Sequence, residues 1–185
     1  MVDLSNLQLV EEDITVDDAQ YVEATDFPPP PPEGVYLFIQ GAPRFEASKD
    51  GHLVAVMDQT IADGDAKDTK VMFDRVSAKT FERGGVRVSM LQDHLRAVYP
   101  IGAPERSART NEEKAAAISA AEGKPFKGVL QWDGYCGHKD TEHAGQDAVT
   151  IRGQRNFPAN GGDATCKTCG ASIRPRGKIN RRIAQ

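Results

Sequence analysis

Apolar residues recur with a period of two along several stretches of the chain, which is the spacing of β-strands, whose side chains point alternately to opposite faces. Three such stretches open the folded part, at residues 34–40, 53–57 and 70–76, with the turn-forming pair Asp50-Gly51 between the first two. A fourth strand is predicted at residues 126–135. On one of its faces it carries Phe126, Gly128, Leu130, Trp132 and Gly134.

Two helical segments are predicted between the third and fourth strands. Ser89 with Gln92, and Thr110 with Glu113, have the spacing of capping boxes, which mark helix starts. The first segment ends before Pro100, and its buried stripe is Met90, Leu91, His94, Leu95 and Val98. We interpret His94 as a satisfied helix residue. A ligand role would be less usual for it.

The alternation returns at residues 171–183 and predicts a last strand. One face is polar, and the other is apolar except for Arg181. The polar face consists of Ser172, Arg174, Arg176, Lys178, Asn180 and Arg182. Cations two residues apart on a strand lie about 7 Å from each other, close to the phosphate spacing of an extended nucleic-acid strand. We interpret this face as a phosphate-binding track, and an ordinary solvated strand face is the alternative.

This order of elements predicts a mainly β fold with short α-helices. Five principal strands with helices between the third and fourth suit a five-stranded antiparallel barrel of the oligonucleotide-binding (OB) kind. We expect that β domain at residues 34–135 and 171–185, a zinc-ribbon insert at 136–170, and a flexible leader at 1–33.

Charge is strongly segregated along the chain. Residues 1–33 hold nine acids and no base, and they end in the five prolines 28–32. Residues 152–185 hold eight bases and a single acid. The net charge of −4 therefore does not exclude a nucleic-acid partner. The leader is interpreted as a solubilising tail. It could instead recruit a protein partner through its prolines, or lie in the basic groove until nucleic acid displaces it.

Cysteine and histidine residues predict a metal site. The pair Cys166 and Cys169 has the C-x-x-C spacing of a zinc knuckle, with Gly170 next. Cys136 with His138 or His143 would complete a tetrahedral set, in which Zn²⁺ has a structural role because no position is left for a reactive water. A redox dithiol is the alternative for the pair, but it lacks the βαβ context.

Several segments together resemble a group of bacteriophage proteins related to single-stranded DNA-binding proteins. They are the proline stretch, VYLFIQG, VMFDRVS, PFKGVLQWDGYC, IRGQRNFP, CKTCGASIR and KINRRI, within about residues 28–183. The resemblance implies an OB fold with a zinc ribbon inserted before the last strand. It also implies a cytoplasmic accessory of DNA replication or recombination, and the chain shows neither an eighteen-residue apolar run nor a signal-peptide pattern.

The predicted function is sequence-tolerant binding of single-stranded DNA. The expected phosphate contacts are Arg152, Arg155, Arg174, Arg176, Lys178 and Arg182. The expected base-stacking residues are Tyr36, Phe38, Trp132, Tyr135 and Phe157, although a core role is equally typical of each. The alternative is a zinc-stabilised structural or adaptor protein. No enzymatic activity is expected, because the sequence contains none of the common catalytic motifs.

Overall fold

A computed structural model describes residues 29–136 and 150–185. Its strands are β1 Gly34–Gln40, β2 Arg44–Ala47, β3 Leu53–Ile61, β4 Lys70–Ser77, β5 Thr80–Arg83, β6 Val86–Ser89, β7 Pro125–Tyr135, β8 Thr150–Arg152, β9 Ala164–Thr165, β10 Ser172–Ile173 and β11 Arg176–Ile183. Its α-helices are α1 Met90–Val98 and α2 Asn111–Ser119. The prediction of a mainly β fold with short helices is confirmed.

Among the described residues, the main sheet has seven antiparallel strands. Its central order is β11-β7-β1-β3-β2, with β4 also paired to β3 and β8 also paired to β7. Two small hairpins, β5–β6 and β9–β10, lie outside it. Within the described ranges no ladder joins β4 to β11, so the sheet does not close and the OB barrel stays a prediction. None of the helices in these ranges is long and apolar enough to cross a membrane.

Both helices start where the capping pairs predict. The Thr110 box is reciprocal: its side chain accepts from the Glu113 N–H, and the Glu113 carboxylate accepts from the Thr110 N–H. Ser89 accepts from the Gln92 N–H at 3.1 Å, but the Gln92 amide donates to the Arg106 carbonyl. The α1 cap is therefore one-sided, because Gln92 instead ties α1 to the turn ahead of α2.

The larger core lies between the sheet and the two helices. Phe38 and Phe126 stack with ring centroids 5.4 Å apart, and Leu91, Leu95 and Ile118 from the helices are fully buried in the same cluster. These residues are the period-two faces of β1 and β7 and the apolar stripes of the helices. The core therefore follows from the patterns of the sequence.

A second, smaller cluster lies at the far end of β7. It contains Trp132, Cys136, Phe157, Cys166 and Ile173. Gly134 allows this packing: a Cβ at that position would lie 2.9 Å from Ile173 and 3.0 Å from Phe157. The single strand β7 thus contributes one half of its buried face to the main core and the other half to the cysteine-containing cluster.

A β-bulge at Asn180 changes the predicted faces of the last strand. Ile179 lies opposite Leu130 and Arg181 opposite Val129, so Asn180 is an extra residue without a partner in the ladder. Beyond it the alternation is inverted, because a bulge shifts the side-chain period by one residue. Arg181 is exposed and Arg182 is buried, and the prediction that Arg182 continues the outer track is wrong.

A second bulge interrupts β4 opposite Asp58. Met57 pairs with Asp74 and Gln59 with Val71, so the two residues Met72 and Phe73 face Asp58 alone. Both point outward, at 51% and 57% exposure, and Asp74 turns inward. The bulge therefore places an aromatic residue in solvent and a carboxylate in the interior.

The two inward-turned charges meet between β4 and β11. Arg182 forms a salt bridge with Asp74, with side chains 3% and 4% exposed. The Arg182 Nε also donates to His94 Nδ1 at 2.9 Å, and Gln59 donates to Asp74 at 2.9 Å. His94 Nε2 lies 2.7 Å from the side-chain oxygen Oε1 of Gln40, to which it donates because Nδ1 is the acceptor for Arg182. A chain of buried hydrogen bonds thus joins four strands and α1.

Replacing Arg182 with Met is expected to destabilise the protein by about 3–5 kcal/mol, because it leaves the Asp74 carboxylate buried without a counter-charge. The matched control is Arg181→Met, one residue away on the exposed face, expected to change stability by less than about 0.5 kcal/mol. Urea unfolding followed by circular dichroism measures both. Equal effects of the two substitutions would contradict the buried pairing.

His94 gives the stability a pH dependence. Burial, and then the neighbouring Arg182 charge, hold the pKa of His94 well below its ordinary value of 6.5. Below pH 6.5 the unfolded chain therefore binds a proton that the folded chain excludes, and stability falls as the pH falls, by at most about 1.4 kcal/mol per pH unit. We expect His94→Gln to flatten the slope of stability against pH between pH 7 and 5. The control is His52→Gln, at an exposed histidine, which should leave the slope unchanged. Urea unfolding at each pH measures both variants.

Candidate metal centre and basic face

The three cysteines of the chain come together at the end of β7. Their sulfur atoms lie within 4.8 Å of one another, and Cys136 Sγ is 3.4 Å from Cys169 Sγ. That separation exceeds the ~2.05 Å of a disulfide bond. Cys136 and Cys166 are each only 2% exposed, and Cys169 is half-buried. Three thiols from two segments that are far apart in the sequence therefore lie close together.

The backbone around Cys166 and Cys169 has the form of a metal knuckle. The Gly170 N–H donates to the Cys166 carbonyl at 2.9 Å, and Gly170 takes a φ of 74°, which glycine adopts without strain. Hydrogen bonds from the N–H groups of Cys169 and Thr168 lower the pKa of the Cys166 thiol to about 6. For Cys169, the Ala171 N–H acts in the same direction, but burial and the other two thiols prevail and raise its pKa to about 11.

This donor set fits a metal ion. Metal–sulfur bonds of about 2.3 Å in tetrahedral geometry place sulfur atoms about 3.8 Å apart. The sulfur atoms of the three cysteines lie within 4.8 Å of one another, so small shifts of these side chains would give tetrahedral coordination. The predicted first-knuckle histidines, His138 and His143, lie outside the described residues. Three of the predicted ligands are thus brought together, and the fourth stays a prediction.

A carboxylate organises the predicted cations near this cluster. Asp133 of β7 is directly opposite Arg176 of β11 on one side and Arg152 of β8 on the other. The Lys178 Nζ is 3.1 Å from Asp133, and Arg152 and Arg176 approach it to 3.8 and 4.0 Å. The Asp133 side chain is 8% exposed, whereas these three cations are 45–67% exposed. One shielded acid therefore holds three outward cations in place.

Arg181 and Lys127 extend the same side of the sheet. In the register of β11 with β7, Arg181 lies opposite Val129 and Lys127 opposite Ile183, on the same face as Asp133. Both are exposed. The term basic face denotes from here on the cations Lys127, Arg152, Arg176, Lys178 and Arg181.

Three predicted phosphate ligands do not belong to this face. Arg182 is buried against Asp74, as described above. Arg174 lies between β10 and β11, with its Nε 3.8 Å from Asp163. Arg155 is exposed in the turn that follows β8. The cations that the sequence placed on one continuous strand face therefore lie on separate surfaces. The reasons are that β10 and β11 belong to different sheets, and that the bulge reverses which side chains of β11 face outward beyond Asn180.

Of the five predicted stacking residues, only Tyr135 is well exposed, at 52%. The Arg176 guanidinium carbon lies 4.8 Å from the centroid of its ring. Phe38, Trp132 and Phe157 are buried core residues, which is the alternative that the sequence left open for each of them. Tyr36 is half-buried and donates from its hydroxyl to the Pro32 carbonyl at 2.9 Å.

The end of the proline stretch lies against the folded part. The Trp132 indole donates to the Pro31 carbonyl at 2.6 Å, and its backbone N–H donates to Glu33 at 2.9 Å. Pro29 lies beside Gly161, where a Cβ would come within 2.5 Å of it. Residues 29–33, on the leader side of the predicted boundary, therefore pack on the cysteine-containing cluster. The residues before them, 1–28, lie outside the described ranges.

Metal removal should be visible through Trp132, the single tryptophan of the chain, because it packs in the same cluster as Cys136 and Cys166. We expect the purified protein to hold about one metal ion per chain by elemental mass spectrometry, and a chelator to shift Trp132 emission to longer wavelength. Cys166→Ser should abolish both signals, and Ser172→Ala should preserve them. His138→Ala and His143→Ala, compared side by side, identify the fourth ligand. Unchanged emission and stability after chelation would contradict the site.

No protein-family model, no curated protein and no solved structure matches this chain. The resemblance to bacteriophage single-stranded DNA-binding proteins therefore stays a prediction from the sequence. The cysteine cluster and the basic face beside it are the two features of the described residues that bear on function.

Proposed function

We propose that the chain binds single-stranded DNA without strong sequence preference, through the basic face. Cations that follow an extended backbone and an aromatic ring on which a base can stack are the two requirements of such binding. Both occur together on β7, β8 and β11. The proposal keeps Arg152, Arg176 and Lys178 from the sequence prediction and adds Arg181 and Lys127.

The contact of Arg176 with Tyr135 is the observation that carries the proposal. Its guanidinium lies 4.8 Å from the tyrosine ring centroid, while both residues are more than half exposed. A base stacked on Tyr135 would bring its phosphate within reach of the cations that Asp133 holds. Among the described residues, this face has five cations around the shielded Asp133, with the Glu33 carboxylate beside it on the Trp132 N–H, so its charge balance is positive although that of the whole chain is negative.

We further propose that the metal is a structural Zn²⁺ and that the sheet is an open variant of the OB barrel. Thiolate ligands select zinc among the common divalent ions, and four filled positions leave none for catalysis. The pairing of β4 with β3, and of β11 with β7, follows the strand order of an OB barrel. A ladder between β4 and β11 would close that barrel, and the Asp74–Arg182 bridge lies between these two strands. Zinc would then fix β8 and the end of β7, and hence Arg152 and Asp133.

The proposal is tested by fluorescence anisotropy with labelled oligothymidylate across a salt series. Binding should weaken steeply as salt rises, and Arg176→Ala with Lys178→Ala should weaken it for all sequences alike. The slope of log affinity against log salt should become shallower by about 1.4, the value for two lost contacts to a single strand. The matched control with the same charge change is Lys67→Ala with Arg109→Ala, two exposed cations outside the basic face.

Three outcomes would argue against the proposal. If wild-type protein does not bind at low salt, the adaptor alternative gains, and binding partners of the leader should be sought. If duplex DNA binds as tightly as the single strand, base stacking is not involved. If both double variants weaken binding equally, the attraction is one of overall charge and the basic face has no special role.

A further inference from the structure

The bulge on β4 exposes an aromatic side chain in a conformation that is unusual for it. Phe73 has a φ of 55°, in the left-handed region, where bulky residues are outliers. Its N–H donates to the Asp58 carboxylate at 2.8 Å, which fixes this backbone. The ring therefore points into solvent from a held position, at 57% exposure.

The bulge explains why a residue is exposed there, but not why that residue is phenylalanine. Turning Asp74 inward requires only that the preceding residue accept a left-handed backbone, which glycine or asparagine does at little cost. Phenylalanine adds strain and gives up the burial of a large apolar side chain. Strained residues that the fold itself does not require are often functional.

Cations lie near Phe73, and so do the carboxylates of Asp58 and Glu46. The Arg44 guanidinium carbon lies 5.3 Å from the centroid of its ring. Arg75, two residues further on, is 57% exposed at its side chain and pairs with Glu46, and Lys70 at the start of β4 is exposed. Met72, beside Phe73 in the bulge, adds an exposed apolar contact at 51%. The patch joins one flat aromatic surface to three cations and two carboxylates, which leaves it a small positive balance.

We propose that Phe73 and Arg44 form a second stacking site, which binds an unpaired nucleobase of the same single strand. The base would lie on the ring face that Arg44 leaves open, and Arg75 and Lys70 would face the adjoining phosphates. Such an arrangement of base, aromatic ring and guanidinium combines stacking with a cation–π contact. This inference rests on the proposed function and extends it to a site that none of the predicted residues occupies.

A matched pair of variants tests it. Phe73→Leu removes the ring but keeps an apolar side chain, and Phe81→Leu does the same on the β5–β6 hairpin. Phe81 is 41% exposed and has Arg83 5.2 Å from its ring, but its backbone is not left-handed. We expect Phe73→Leu to weaken oligothymidylate binding by about 5- to 150-fold, the range for the loss of one stacked base. Phe81→Leu should change the affinity by less than about twofold, well below the effect of one stacked base.

Two further measurements distinguish stacking from a structural effect. With an abasic deoxyribose-phosphate oligomer, wild-type protein and Phe73→Leu should bind alike, because there is no base to stack. Photo-crosslinking of 5-iododeoxyuridine oligonucleotides to the wild-type protein should give an adduct at Phe73 by mass spectrometry.

The outcomes separate this site from the proposed function. If wild-type protein binds and Phe73→Leu binds equally well, the Phe73 site is overturned and the basic face stands. The site is also overturned if Phe73→Leu weakens binding to the abasic oligomer as much as to oligothymidylate. If wild-type protein does not bind oligothymidylate at all, the proposed function fails, and this site fails with it.

Discussion

The buried bridge between Asp74 and Arg182 is the interaction on which the shape of the sheet depends. Both charges are shielded from water, so each needs the other. His94 accepts from Arg182, Gln59 donates to Asp74, and Gln40 in turn accepts from His94. Strict alternation would leave both residues on the outer face. Two bulges, one in each strand, turn them inward. The bridge lies in the seam between β4 and β11 where the described residues form no ladder.

The same two bulges shape the outer surface. Turning Arg182 inward brings Arg181 outward onto the basic face, and turning Asp74 inward leaves Phe73 exposed. A bulge inverts every side chain beyond it, so the buried bridge, the outward position of Arg181 and the exposure of Phe73 have a common geometric origin. Interior electrostatics and surface chemistry are therefore coupled here, and a variant that weakens the bridge should be examined for both.

The long strand β7 connects the core to the metal centre. Its first half packs Phe126 and Leu130 against the helices, and its second half packs Trp132 against the cysteine cluster before ending at Cys136. Asp133, on the opposite side of this second half, holds the cations of β8 and β11. A metal bound by the cysteines would thus fix the strand end from which the basic face is organised. Pro31, whose carbonyl accepts from the Trp132 indole, adds a further constraint there.

Local features of this protein are determined by the sequence. The capping residues Ser89 and Thr110, the alternating face of β7 and the cysteine knuckle each involve only a few neighbouring residues, and their spacing in the sequence was enough to predict them. The tertiary structure decided which of the alternating residues face outward. Asp74 and Arg182 are 108 residues apart, and a bulge arises only when a strand is paired with its neighbour. No period in the sequence reports such a partner, so the burial of Arg182, the exposure of Phe73 and the place of Asp133 among the cations became visible only in the folded chain.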